Sequence, residues 1–275
     1  MPELPEVEVV RKSLEENFRH QPQIAVITLN RSNLRFPMPK NLNEKLQGAQ
    51  FLGVERRAKY LLIKTSRGTL LSHLGMTGSW RLVTQQESLP QDIHQHVEIE
   101  FSDGSTLVYR DPRRFGVLDF IKTGYEFEHK LLKHLGLEPF APEFTADFLF
   151  ARSRKRKAAV KVFIMDQKIV VGVGNIYASE ALFAAGIKPT RAAGRVTHAE
   201  FQKLVVAIQK ILQAAIAAGG SSIQDFRSTS GASGYFQQAH QVYDRGGEAC
   251  LICQKPLKSK VLGGRSTYWC RVCQR

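Results

Sequence analysis

Cysteine is scarce in this chain and badly placed for stapling: four residues in 275, all within 250–275. A disulfide framework would spread its bridges along the chain, so that class is excluded and metal binding is the better reading of the thiols. No run approaches the roughly 20 consecutive apolar residues that a membrane helix needs. The opening MPELPEVEVV lacks a basic flank leading into an apolar core, so neither export nor membrane insertion is expected. Internal repeats and low-complexity tracts are missing too. Acidic side chains are in deficit, 25 Asp plus Glu against 39 Lys plus Arg, which leaves a formal charge of +14. With 43% hydrophobic and 23% charged residues, disorder, collagen and coiled coil are ruled out, and the length suits two domains.

What is present falls into unlike textures. Val7, Val10, Leu14 and Phe18 recur at helical spacing in Pro2 to Phe18, with Glu3, Glu6 and Glu8 near the start, where a helix dipole favours carboxylates. From Ile24 to about Ile121 the pattern changes to β-branched runs: AVITL, FLGVERR, KYLLIKT, GTLLSHL, HVEIEFSDGSTLVY and GVLDFI. Ser102-Asp103-Gly104 joins two alternating runs with an Asp-Gly hairpin signal, so an antiparallel sandwich or barrel is expected, its edge covered by the first helix. Past Leu132 the texture is helical, and LGLEPFAPEF reads as a linker. Asn175 to Ala185 forms one helix, ending at Gly186. Thr197-x-x-Glu200 is a capping box ahead of Phe201, Leu204, Val205, Ile208, Ile211 and Leu212, giving a second helix after an extended connector. Residues 219–240 form a long loop rich in Gly and Ser.

Cys250, Cys253, Cys270 and Cys273 give C-x2-C-x16-C-x2-C, in which two knuckles of two thiolates close a tetrahedron around one Zn2+. Four sulfur ligands leave no open position, so the ion is expected to be structural and to hold a hairpin. Residues 246–275 carry Lys255, Lys258, Lys260, Arg265, Arg271 and Arg275 against Glu248 alone, and Arg152, Arg154, Lys155, Arg156, Lys157 and Lys161 form a second basic run. One such run is usually a solvated face. Two of them on a strongly basic chain favour nucleic acid, whose phosphates release counterions to Lys and Arg.

Three local features stay open on their own. Gly172 and Gly174 lead into Asn175, which is either an ordinary helix cap or part of an anion site at a helix start. Asp111-Pro112-Arg113-Arg114-Phe115-Gly116 is a β-turn with an incidental aromatic, or a groove reader with a wedge. Removal of Met1 would expose the secondary amine of Pro2. Attack of that amine on a sugar aldehyde gives a permanently cationic iminium ion, and an α-amino pKa of about 8 leaves a useful neutral fraction. Glu3 beside it is a possible acid or base. Equally, Pro2 and Pro5 organise a helix start and the glutamates complement its dipole.

In this order, PELPEVE at 2–8, RRAKYLL at 56–62, HLGMTGSW at 73–80, DPRRFG at 111–116, MDQKIVVGVGNIYASEALFAAGIKP at 165–189, GYFQ at 234–237 and the final GGRSTYWCRVCQ resemble the bacterial formamidopyrimidine-DNA glycosylase family, which repairs oxidised purines such as 8-oxoguanine. The resemblance spans nearly the whole chain. It implies an α+β protein of two domains: an N-terminal antiparallel β-sandwich with a covering helix over 1–132, a helix-two-turns-helix module with a lid loop over 133–240, and a zinc finger β-hairpin over 241–275. By the same resemblance Pro2 attacks C1′ as the Schiff-base nucleophile, Glu3 donates the proton that opens the sugar, and Glu6 supports them. Lys59 serves β-elimination, and Arg265 serves δ-elimination and a phosphate contact.

An everted base leaves a hole that inserted side chains must fill. The resemblance gives that role to Met76, with Arg113 on the orphaned cytosine and Phe115 as wedge. His94, Arg114, Arg156, Lys161, Asn175 and Tyr235 complete the DNA contacts, and 219–236 is the lid, with Gln224, Asp225 and Phe226 where the family varies. The expected partner is double-stranded DNA containing an oxidised purine, met by a monomer in the bacterial cytoplasm, at the nucleoid. Two departures stand out: Ala58 replaces the usual Gly, and VYDRGGEAC replaces VYGR with Pro before Cys. Leu4 and DPRRFG favour purines over the pyrimidine preference of the related endonuclease VIII. A non-catalytic binder of damaged DNA is the alternative from another class.

Overall fold

The computed structural model describes residues 2–84, 92–220 and 240–275. Its contacts divide the described chain into two compact units, 2–133 with 218–220, and 134–217 with 240–275.

The first unit holds two four-stranded antiparallel sheets. One has the order β1-β6-β7-β5, from β1 (Ile24–Leu29), β5 (Ser79–Val83), β6 (Gln95–Phe101) and β7 (Thr106–Arg110). The other is β2-β3-β4-β8, from β2 (Phe51–Arg57), β3 (Tyr60–Thr65), β4 (Gly68–His73) and β8 (Val117–Ile121). Both sheets contribute to one core: Ile27, Val97, Ile99, Leu107 and Tyr109 from the first pack with Val54, Leu61, Ile63, Leu70 and Leu118 from the second. That shared core is what makes two alternating sheets a sandwich. The β6–β7 hairpin turns through Ser102-Asp103-Gly104, where Gly104 N donates to Phe101 O (3.0 Å) and the Asp103 carboxylate accepts from Ser105 N (2.9 Å). β5 is a five-residue edge strand that pairs, among the described strands, with β7 alone, and it is too short to show a convincing alternation in sequence.

Helix α1 (Leu4–Asn17) adds Val7, Val10 and Leu14 to the same core and packs against the edge strand β2. Its polar side does further work there. Glu15 Oε2 accepts from Val54 N (2.7 Å), and Arg11 Nη1 donates to Val54 O (3.3 Å). Outward backbone groups of an edge strand otherwise invite another chain, so α1 covers the edge chemically as well as sterically.

In the second unit, α5 (Asn175–Ala184) is apolar nearly all round and central, packing against α4 (Val160–Met165), α6 (His198–Ala217) and the strand β10 (Arg265–Trp269). The capping box forms as the sequence predicts, with Thr197 N donating to Glu200 Oε2 (2.8 Å) and Glu200 N to Thr197 Oγ1 (3.3 Å). α5 stops at Gly186, and a turn at Lys188–Arg191 and a 3-10 turn at Ala193–Arg195 carry the chain to α6. The helices α2 (Leu42–Leu46), α3 (Ala146–Ser153) and α4 span too few turns to show a 3.6 periodicity in sequence. β9 (Lys258–Leu262) and β10 form the hairpin between the two cysteine knuckles. No described helix is long and apolar enough to cross a membrane.

Replacing Glu15 with Ala removes the acceptor for Val54 N–H and is expected to cost about 1 kcal/mol. Glu15→Gln should recover most of that loss, both read from urea unfolding midpoints at constant slope.

Candidate active site

The start of α1 concentrates carboxylates where burial is costly. Pro2 is buried, and Glu3 and Glu6 are 3% and 0% exposed. They close a capping box: Glu3 N donates to Glu6 Oε2 (2.7 Å), and the Glu3 carboxylate accepts from Glu6 N. The helix-start role open in the sequence is therefore real. Yet Ser, Thr, Asp or Asn serves that purpose best, and two buried glutamates following a proline exceed what a cap requires. Gly220, the last residue described before 221–239, lies against the Glu6 side chain.

Lys59, 7% exposed, sits in the two-residue turn Ala58-Lys59 between β2 and β3. Ala58 takes φ +56°, so this chain adopts with alanine the left-handed backbone that glycine accepts more readily. Arg56 steadies the turn by donating to Ala58 O (3.0 Å) while its Nε pairs with Glu8 Oε2 (2.8 Å) on α1. Glu8 also pairs with Arg11 (2.9 Å). One chain of charges thus ties the Lys59 turn to the helix that Pro2 precedes.

His73, a residue the sequence reading did not single out, joins this group. Its ring packs on Tyr60 (4.8 Å between centroids), and its Nδ1 accepts from Gly75 N (3.0 Å). Burial, then the charges of Lys59 and Arg35, lower its pKa to about 4, which leaves a neutral imidazole whose Nε2–H is a donor. Its position within HLGMTGSW was the only signal in the sequence.

The turn after β7 presents Arg113, Arg114 and Phe115 outward, Phe115 being 44% exposed, with the Arg113 guanidinium 4.9 Å from the Phe115 ring centre. Together with Asn33, Leu34 and Arg35 these three line a cleft of about 470 Å³. Met76 is half-buried on the 74–78 segment, and His94, also half-buried, offers its carbonyl to Asp111 N (3.0 Å). The groove-reader geometry is available here, since two cations and an aromatic edge are displayed together.

In the second unit the structure brings Lys161 and Asn175 together. Lys161 is 1% exposed and donates to Asn175 Oδ1 (2.6 Å), Ser266 O (3.0 Å) and Thr267 Oγ1 (2.8 Å). An ammonium has three protons, so in this structure the lysine ties α4, α5 and the finger hairpin together. Asn175 is not the cap of α5. Gly174 is, while the Asn175 amide oxygen faces Lys161. Arg156 and Arg265 are exposed and line one cleft of about 400 Å³ with Val162, Leu262 and Gly263. Tyr235 and the lid residues Gln224, Asp225 and Phe226 lie outside the described residues.

Cys250, Cys253, Cys270 and Cys273 place their sulfurs within 4.8 Å of one another. Zn–S bonds of about 2.3 Å in a tetrahedron set S···S separations of about 3.8 Å. The observed Cys250–Cys273 and Cys253–Cys270 separations of 3.9 and 3.4 Å fit that cage. Burial and the neighbouring thiols push Cys273 up to about 12, so a dication is what would let four thiolates share the space. Beneath the cage, Phe183 of α5 packs with Val242, Leu257, Cys250 and Cys270. Glu180, 4% exposed, accepts from Gln241 N (2.8 Å), Val242 N (3.0 Å) and Tyr243 N (2.8 Å), fixing the approach to the finger.

The model of the formamidopyrimidine-DNA glycosylase N-terminal domain matches residues 1–118, and that of its H2TH domain residues 135–227. The chain belongs to the formamidopyrimidine-DNA glycosylase family. Formamidopyrimidine-DNA glycosylases from Bdellovibrio bacteriovorus and Syntrophotalea carbinolica are 50% and 51% identical over 275 residues, covering all of both chains. A MutM solved with DNA containing carbocyclic 8-oxo-G is 34% identical, with TM-score 0.90 and full coverage of both chains. The Lactococcus lactis Fpg solved with abasic-site DNA is 33% identical, with TM-score 0.90 and 99% of each chain covered. The two-domain α+β fold and the four-cysteine cluster that could hold one zinc agree with this membership.

Cys270→Ser should release zinc and disorder the β9–β10 hairpin, measured as metal content and as loss of amide protection across Lys258–Trp269. For His73, the unfolded imidazole takes its proton at about 6.5 and the folded one at about 4. Between those values the unfolded chain binds more protons, so stability falls as pH is lowered through the window. His73→Asn should remove that part of the slope in urea melts at pH 4 to 7.

Proposed function

We propose that this chain is a base-excision DNA glycosylase for oxidised purines, 8-oxoguanine and formamidopyrimidines, with a lyase activity that cuts the strand by β and δ elimination. The observation that carries the chemistry is the pair of buried carboxylates, Glu3 and Glu6, directly after Pro2 and tied through Glu8 and Arg56 to the Lys59 turn. Relatives solved with 8-oxo-G, Fapy-dG and abasic-site DNA support the substrate class.

Removal of Met1 makes Pro2 a secondary amine. Its nitrogen forms a bond to C1′ of the damaged nucleotide as the base departs with the C1′–N electrons; the amine's own proton passes to the departing base, and a proton from Glu3 opens the sugar ring at O4′ as the nitrogen lone pair forms the C1′=N bond. The product is an iminium ion that has no N–H to lose and therefore stays cationic. It draws electrons from C2′, whose proton is abstracted as the 3′ phosphate leaves, and a second elimination expels the 5′ phosphate. In this reading Lys59 serves the first elimination and Arg265 the second, while Glu6 holds the Glu3 backbone. Met76, Arg113 and Phe115 take the space of the everted base, and Arg114, His94, Arg156, Asn175 and Tyr235 hold the backbone around it. Zinc, when bound, supplies only the rigidity of the finger that carries Arg265. The protein acts as a monomer on chromosomal DNA in the bacterial cytoplasm.

Borohydride should trap the wild-type chain on an 8-oxoguanine:cytosine duplex as a covalent adduct, and intact mass should show Met1 gone. Pro2→Gly should lose trapping and strand cleavage by at least tenfold. Equal trapping by that variant rejects the iminium assignment, and a retained Met1 in a chain that still binds damaged DNA favours the non-catalytic binder.

A further inference from the structure

Asp111 is 0% exposed, and every polar atom it owns is engaged by a different piece of backbone or side chain. Its Oδ1 accepts the Thr77 hydroxyl (2.6 Å), and its Oδ2 accepts Gly116 N (2.8 Å). Its N–H donates to His94 O (3.0 Å), and its carbonyl accepts from Arg114 N (3.1 Å) and faces His96 Nε2 (2.8 Å). Thr77, 7% exposed, passes the connection on, since its hydroxyl oxygen accepts from Arg113 N (3.1 Å). The Tyr109 hydroxyl, fully buried, lies 3.3 Å from His73 O and against the Asp111 carboxylate.

These bonds join two segments far apart in sequence, 74–78 and 111–116, and those segments carry Met76, Arg113 and Phe115. The contact between them is intimate. A Cβ on Gly75 would lie 2.4 Å from the Phe115 carbonyl carbon and 2.5 Å from the Gly116 nitrogen. Between the two displayed side chains, Arg114 is held at φ +56°, a conformation that needs external support in a non-glycine residue. Burying a carboxylate adds little net stability compared with apolar packing of the same volume. What it adds here is direction, because each lone pair fixes one segment relative to another.

We infer that Asp111 and Thr77 are positioning residues that set the three inserted side chains before DNA arrives, and that they thereby govern which base is accepted opposite the lesion. Neither residue touches DNA in this scheme. It rests on the reading of Met76, Arg113 and Phe115 given under Proposed function, and it adds the buried pair that controls them. Arg113 can favour cytosine over adenine only if its guanidinium is held at a fixed height and angle, and its backbone N–H is bonded to the Thr77 hydroxyl.

The test uses binding, which needs no chemistry. Affinity is measured by fluorescence anisotropy for duplexes carrying a tetrahydrofuran abasic analogue opposite cytosine and opposite adenine, with full-length wild type, Thr77→Val and Thr77→Ser. Valine matches threonine in shape and lacks the hydroxyl. The cytosine-over-adenine affinity ratio should fall at least fivefold in Thr77→Val and stay within twofold of wild type in Thr77→Ser. Borohydride trapping on single-stranded abasic DNA, which requires no wedge, should stay within twofold throughout. A ratio unchanged in Thr77→Val overturns the inference, as does a drop in trapping proportional to the drop in binding, which would mark a merely structural role. Asp111→Asn, of equal volume, gives the same readouts should Thr77→Val fold poorly. Wild type that shows the cytosine preference but neither traps nor excises would reject the catalytic reading and leave the positioning role standing.

Discussion

A charge taken out of water must find partners for all its protons or lone pairs, and this requirement shapes every functional region of the molecule. Glu3 and Glu6 answer each other's backbone at the head of α1. Asp111 gathers two loops, Glu180 gathers three consecutive N–H groups before the finger, and Lys161 matches three protons to three oxygens. Asp111, Glu180 and Lys161 thereby join segments that apolar packing alone would leave free to slide, while Glu3 and Glu6 fix the local start of α1. The hydrophobic cores make the units stable, and the buried ions fix their geometry.

The distribution of these ions follows the division of labour in each unit. In the first, α1 and the Lys59 turn are linked through Glu8 and Arg56, while the turn that carries Arg113 and Phe115 is bonded to Asp111 at the end of β7. His73 lies between these systems. Its ring packs beside the Lys59 turn, and its carbonyl meets Tyr109. In the second, the finger is anchored twice, by Glu180 at its entrance and by Lys161 under its hairpin. Rigid support of this kind is what a site needs when it must hold a distorted substrate without reorganising at the moment of reaction.

Much of the candidate site was legible in order along the chain. The PELPE start, the RRAKY turn, the DPRRFG turn and the paired cysteines each lie within a few residues, so their chemistry is visible without a fold. The hairpin at Asp103-Gly104 and the capping box at Thr197 were equally local and formed as expected. The burial of Lys161 is not legible in sequence, because a lysine at the end of a basic run has no mark to separate it from exposed neighbours such as Arg156. The short helices and β5 were passed over for want of length, and His73 for want of a charged or reactive neighbour in sequence.

The sequence alone determined the family, the alternating β patterns, the capping box that starts α6 and the four cysteines that could hold a metal, because propensity, capping and ligand spacing act over a few residues. The tertiary structure decided which charges are buried and what they hold. Lys161 meets Thr267 from 106 positions away, and Thr77 meets Asp111 from 34. Whether a lysine faces solvent or three oxygens, or an aspartate caps its own turn or another loop, depends on what long-range packing brings beside it. No local pattern encodes that.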